Sequence, residues 1–285
     1  MLVLRTDEDL QQRRRALGDG PGGMFVPTMG ALHAGHADLI RRGAALARER
    51  GDRSGCVVSL FVNPTQFNER ADFERYPKDE AADLALCERC GAAAVFAPSL
   101  ATMYPPPPAP PVPVPPLPPV ATEPGLEDAF RPGHFAGVCQ VVMRLFELVR
   151  PRGAILGEKD WQQLRVIASM TQRASLPVEI IPAPITRDPD GLALSSRNRF
   201  LSASDRQSAL AIPRALAAAS KETTPVDAEA SMSRTLANSG LIPEYAVVRD
   251  AATLRPIDRA GSPARALIAA RVGTVRLIDN SPWPV

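Results

Sequence analysis

A chain of 285 residues with 45% hydrophobic side chains is long enough for a large α/β domain and a smaller second unit, each with its own core. Its 33 basic and 31 acidic side chains leave a net charge of +2, which gives no electrostatic footprint for nucleic acid, so any bound anion must be met by local groups. No apolar run is long enough to span a membrane, and "MLVLRTDEDLQQRRR" turns charged too early for a signal peptide, so no membrane contact is expected and the chain is expected to be cytoplasmic.

In chain order, "GMFVPTM" (23–29) reads as strand, "HADLIRRGAALARERG" (36–51) as helix and "CVVSLFVN" (56–63) as strand. "PKDEAADLALCERCG" (77–91) follows as helix and "AAVFAP" (93–98) as strand. Its C-x-x-C, Cys87 and Cys90, has no second pair at zinc spacing, so reduced structural thiols are expected there and at Cys56 and Cys139. Of 30 prolines, 11 fall between Pro105 and Pro119, a stretch that excludes helix and central strand and predicts a stiff polyproline-type connection.

Beyond it, 137–151 has helical spacing, "AILGEKD" (154–160) runs from strand into turn, 161–176 is a helix and "VEIIPAPI" (178–185) a strand. Near-continuous apolar strands alternating with helices indicate a Rossmann-like parallel sheet covered on both faces, with ligands at the carboxyl ends of its strands. After about residue 185 the pattern changes. A polar loop (186–202) leads into a helix opened by Ser202 or Ser204, and 243–250, 264–272 and 274–280 read as strands. The expected organisation is therefore a Rossmann-like domain over 1–184 and a small α+β domain over 185–285.

Two of the three histidines stand in "PTMGALHAGH", where His33 and His36 lie one helical turn apart. Metal ligation, a buried core pair and an anion-holding device all fit that spacing. A strand, a turn with Gly30 and Gly35, and a helix N-terminus together favour the third, because unpaired N–H groups and two imidazoles would then face an anion. "GEKD" (Gly157, Glu158, Lys159, Asp160) puts Lys159 at a strand end, and "LSSRN" supplies Ser195, Ser196 and Arg197, donors suited to phosphate. Asn63 and Gln66 in "FVNPTQF", and Gln162 and Gln163 in "WQQL", offer uncharged donors and acceptors for a polar organic substrate.

Taken together, "PTMGALHAGH", "FVNPTQF", "YPKD", "RPGHFAGV", "GEKDWQQL" and "DGLALSSRNRFLS", in that order over about residues 20–205, resemble the pantothenate synthetase (pantoate–β-alanine ligase) family of the nucleotidylyltransferase superfamily. The resemblance implies a cytoplasmic homodimer that uses ATP and Mg²⁺ to join pantoate to β-alanine through pantoyl adenylate. It implies an ATP site formed by Met29, Gly30, Ala31, Leu32, His33, Ala34, Gly35 and His36, by Gly157, Glu158, Lys159 and Asp160, and by Thr186, Leu194, Ser195, Ser196 and Arg197. His36 would stand at the proton-donor position, with His33, Lys159 and Arg197 as further catalytic groups. Gln66 would meet pantoate and β-alanine, Gln163 would bind pantoate, and Asn63 would assist. No metal ligand is implied by name. The proline-rich loop, Leu194 where some members carry Met, and a loosely matching last 80 residues depart from the pattern. A nucleotidylyltransferase acting on a phosphorylated acceptor, and an inactive interaction protein, are the rival readings.

Overall fold

The computed structural model describes residues 1–18, 20, 22–67, 73–74, 76–258 and 261–284. Six strands form a parallel sheet: β1 (Leu2–Leu4), β2 (Met24–Thr28), β3 (Cys56–Leu60), β4 (Ala94–Phe96), β5 (Gly153–Gly157) and β6 (Glu179–Ala183). The spatial order is β1-β4-β3-β2-β5-β6. The main helices beside it are α1 (Asp7–Leu17), α2 (Ala34–Glu49), α3 (Glu80–Arg89), α4 (His134–Val149) and α5 (Trp161–Arg173).

Both sheet faces are buried, which is why these strands lack polar alternation. Phe25 and Val57 point into one apolar layer, with Leu10 of α1, Val138 and Leu145 of α4 and Leu164 and Ile167 of α5. Their neighbours Met24, Val26, Cys56 and Val58 point into the opposite layer, with Ile40 and Ala44 of α2 and Cys87 of α3. From β2 the chain winds outward through β3 to β4, then returns to β5 on the other side of β2. The reversal opens a crevice at the carboxyl ends of β2 and β5.

A second sheet is an antiparallel meander of β7 (Pro243–Asp250), β8 (Ala264–Val272) and β9 (Val275–Trp283). It packs with helices α6 (Ala203–Ala209), α7 (Ala211–Ala219) and α8 (Pro225–Ala237) around a separate apolar cluster that includes Ile212, Met232, Ile268 and Trp283. Ser202 caps α6, its hydroxyl accepting from the Asp205 N–H at 3.1 Å.

The expected α/β architecture is present. β1 is additional to it: three residues at the sheet edge, two of them exposed, carry too little pattern to be read as strand. The prolines of 105–119 run as an irregular extended connection, tied to α4 where Gln140 Nε2 donates to the Val112 carbonyl at 2.7 Å. All four cysteines are buried free thiols, and burial pushes Cys56, Cys87 and Cys139 up to about 12. Among the described residues no helix is long and apolar enough to cross a membrane.

Candidate active site

The crevice holds a cavity of about 240 Å³ at the ends of β2 and β5. Its floor begins at Thr28, whose hydroxyl donates to the Ser59 carbonyl at 2.6 Å and accepts from the Gly30 N–H at 3.2 Å. Gly30 turns the chain at φ +79°, where a Cβ would also lie 2.9 Å from Asp83. Asp83 of α3 accepts from the Ala31 and Leu32 N–H groups at 2.9 and 2.8 Å, fixing the loop to its neighbouring helix.

That anchoring sets up the histidine pair. His33 is the N-cap of α2, and its Nδ1 accepts from the Gly35 N–H at 3.2 Å, while His36 Nδ1 accepts from the His33 N–H at 3.3 Å. The imidazoles thus play the parts of Ser and Glu in a capping box. Because each Nδ1 is an acceptor, the ring proton of the neutral form is assigned to Nε2 in both. Enclosure, with His33 and Lys159 adding to it, depresses His36 to about 3, and enclosure and Lys159 lower His33. Both rings line the cavity as uncharged N–H donors. Gly35 is needed beside them, since a Cβ there would sit 3.0 Å from His33 Cε1.

β5 ends in the turn Glu158–Asp160, which puts Lys159 and Asp160 on the cavity, 4.0 Å apart. Enclosure works against the Asp160 carboxylate, but Lys159, Arg197, Arg131 and His134 outweigh it and hold the group below the usual range. The turn is gripped from the second sheet. Asn280 Nδ2 donates to the Glu158 and Lys159 carbonyls, both at 3.0 Å, and Arg265 pairs with Glu158 at 2.7 Å while lying 3.6 Å over the Trp161 ring. The loop after β6 brings Thr186, Leu194, Ser195, Ser196 and Arg197 to the same cavity, with Arg187 tied to Asp279 at 2.6 Å.

Gln66 and Gln163 line the same cavity. The two neighbouring glutamines of α5 divide their work. Gln162 is buried and spent on the 120–128 loop, accepting from the Glu127 N–H at 2.8 Å and donating to the Val120 carbonyl at 3.0 Å.

Of the residues expected at the site, Met29, His33, Gly35, His36, Gln66, Gly157, Lys159, Asp160, Gln163, Thr186, Leu194, Ser195, Ser196 and Arg197 come together around this one cavity. Gly30, Ala31, Leu32, Ala34 and Glu158 shape the loops behind it without lining it. Asn63, expected to assist at the substrate, is fully buried and lies behind the cavity lining. Its Nδ2 donates to the Gly137 carbonyl at 3.1 Å, and its Oδ1 accepts from the Tyr104 hydroxyl at 3.0 Å and the Thr65 hydroxyl at 3.1 Å. It holds the turn that carries Gln66.

Tyr76, Arg131 and His134 also line the cavity, and residue type alone does not single them out. His134 Nδ1 meets the Gln66 carbonyl at 3.1 Å. A carbonyl only accepts, so the proton is assigned to this Nδ1, the opposite tautomer from the α2 pair. Burial, and Arg131 with it, lowers His134 to about 4. The clue in the sequence is Pro-Gly directly before a helical run, which places Arg131 and His134 on either side of a turn into a helix.

Set against known proteins, residues 2–282 match the family model for pantoate-beta-alanine ligase. The pantothenate synthetase of Rhizorhabdus wittichii is 45% identical over 98% of this chain and 98% of its own length, and that of Rubrobacter xylanophilus is 46% identical over 99% and 98%. The crystal structure of pantothenate synthetase from Thermus thermophilus superposes with a TM-score of 0.88 at 38% identity, covering 99% of both chains. That of the Francisella tularensis pantoate-beta-alanine ligase, complexed with beta-gamma ATP and beta-alanine, gives 0.78 at 30% identity, covering 99% of this chain and 97% of its own. From its first strand to its last, this chain belongs to the pantoate–beta-alanine ligase family.

Proposed function

We propose that this chain condenses (R)-pantoate with β-alanine in two steps. A pantoate carboxylate oxygen attacks the α-phosphorus of ATP and pyrophosphate leaves. The β-alanine amine, as the free base, then attacks the acyl carbon of pantoyl adenylate, the acyl C–O bond breaks, AMP departs with the electron pair, and the nitrogen gives up a proton to leave the amide. The observation that carries this reading is that one cavity gathers a cationic set, two Nε2–H imidazoles with Lys159 and Arg197, and an amide set, Gln66 and Gln163.

On the cationic side, the donors meet charge gathering on the phosphates as two anions are brought together. His36 acts there as a neutral hydrogen-bond donor, since a ring depressed to about 3 carries no acidic proton at neutral pH. Met29, Gly35, Gly157, Thr186 and Leu194 form the walls of the nucleotide side, and Ser195 and Ser196 add hydroxyl donors. On the amide side Gln66 and Gln163 orient pantoate without adding net charge. Enclosing the adenylate keeps water from competing with the amine.

Among the described residues no group of three or more His, Cys, Asp and Glu side chains is placed to hold a metal. That fits a Mg²⁺ that arrives on the triphosphate, with phosphate and water oxygens as most of its ligands. Asp160, ionised and facing the cavity, is the carboxylate that would reach it. Bound there, the ion would neutralise phosphate charge. The reading further includes a cytoplasmic homodimer, and a boundary at 184/185 beyond which the small domain closes over the site.

The test is isotope exchange between pyrophosphate and ATP. Exchange is expected with pantoate and without β-alanine. Exchange that needs no pantoate, or that runs only with a phosphorylated acceptor, overturns the reading.

A further inference from the structure

Arg131 is a cation at the cavity that no step above uses. It lines the main cavity and also a smaller one of about 20 Å³ that opens beside Gln163, Tyr245 and Asn280. The residues of the 194–197 loop and of the α2 turn line the first cavity and not the second, whereas Lys159, Asp160, His134 and Gln163 line both with Arg131. Arg131 therefore stands where the two cavities meet, beside Gln163 and apart from the 194–197 loop and the α2 turn.

The carboxylate nearest to it is already spent. Glu127 Oε1 accepts from Arg276 Nη2 at 2.6 Å and from the Tyr245 hydroxyl at 2.7 Å, and Oε2 accepts from Arg276 Nη1 at 2.9 Å. Arg131 Nη1 reaches Oε2 only at 3.7 Å, beyond hydrogen-bond range. Burial weighs against its charge, Glu127 and Asp160 support it, and Arg197 and Arg276 oppose it, with burial prevailing. The neighbouring His134 is neutral at physiological pH and relieves none of it. A half-enclosed guanidinium with a saturated carboxylate behind it and its fork toward a cavity is a receptor for a planar anion.

Resting on the ligase reading, we propose that Arg131 binds the carboxylate of β-alanine. The amino acid then enters with its charged end at the seam of the two cavities, and its amine, two carbons away, points toward Gln66 and the acyl carbon. Arg131 thereby sets the enzyme's selectivity for an amino acid over a plain amine of the same length.

The experiment compares β-alanine with 3-aminopropan-1-ol as acceptor in the wild type, Arg131→Gln and Arg131→Lys. In Arg131→Gln the KM for β-alanine is expected to rise about 50-fold, and the kcat/KM preference for β-alanine over the alcohol to shrink by a similar factor, as for loss of a charged hydrogen-bond pair. Arg131→Lys, which keeps the charge and loses the fork, should recover part of that preference. Pyrophosphate exchange needs no amine and should fall about threefold at most. A preference that survives in Arg131→Gln overturns the proposal, as does a loss of exchange as large as the loss of amide formation. Wild-type exchange without pantoate would instead overturn the ligase reading. Melting curves of both variants separate any loss of fold from loss of selectivity.

Discussion

Replacing His36 by alanine separates the structural from the chemical work of the α2 turn. Structurally the ring accepts one backbone N–H in the cap of α2, so its loss should cost about 1 kcal/mol, a few degrees of melting temperature. Chemically, on the function proposed above, it removes an Nε2–H donor to developing phosphate charge, which should raise the barrier by about 3–4 kcal/mol, a fall of roughly 10²–10³ in pyrophosphate exchange. The same substitution has a pH signature. The folded ring stays neutral down to about 3, against 6.5 for an ordinary exposed imidazole, so below 6.5 the unfolded chain takes up a proton that the folded one refuses. This contribution to stability is complete above pH 6.5 and is lost as pH falls toward 3, amounting to at most about 5 kcal/mol at the lower end. In His36→Ala the melting temperature should therefore fall less steeply between pH 6.5 and 4 than in the wild type. Melts across that range and an exchange pH profile test both halves. An alkaline limb near pH 6–7 that vanishes in the variant would mean that a protonated His36 serves catalysis. A melt that collapses in step with activity would mean that the ring is chiefly a core residue.

The two glutamines of α5 should fail differently. Gln163→Ala is expected to raise the KM for pantoate with little change in melting, whereas Gln162→Ala strands the Glu127 N–H and the Val120 carbonyl and should cost about 1–3 kcal/mol in denaturant unfolding. Equal effects on KM would show that the 120–128 loop, not direct contact, governs pantoate binding. Gly137→Ala places a Cβ 2.3 Å from the Thr65 carbonyl oxygen, backbone that cannot swing aside, so the turn carrying Gln66 must shift. A destabilisation of about 1–3 kcal/mol together with a raised pantoate KM is expected, read by urea melts and steady-state kinetics.

The parts of this protein that could be read in its sequence are those whose physics is local. Met24–Thr28 and Cys56–Leu60 announce buried parallel strands because both faces are covered, and the change of pattern after residue 185 precedes helices from Ala203 and an antiparallel sheet from Pro243. Leu2–Leu4 could not be read this way, since three residues at an edge owe their strand state to pairing with Ala94–Phe96. Asn63 and Gln66 look alike as amides after a strand. Only the fold separates them, because Asn63 meets the Gly137 carbonyl 74 residues away and Gln66 lines the cavity.

The α2 turn shows why a resemblance in residues still needed atoms to explain it. His33 and His36 could have been ligands, core side chains or anion donors, and spacing alone does not decide among them. Ring nitrogen usage favours the last: with Nδ1 of each ring capping α2, each Nε2 keeps its proton, and the cap holds both rings in place at the cavity. His134 has the same side chain in the opposite tautomer because its Nδ1 meets a carbonyl rather than an N–H. Three identical residues thus offer Nε2 donors at the α2 turn and an Nε2 acceptor beside Arg131 and Gln66. The hydrogen bond behind each ring, rather than its residue type, sets what it offers to a substrate.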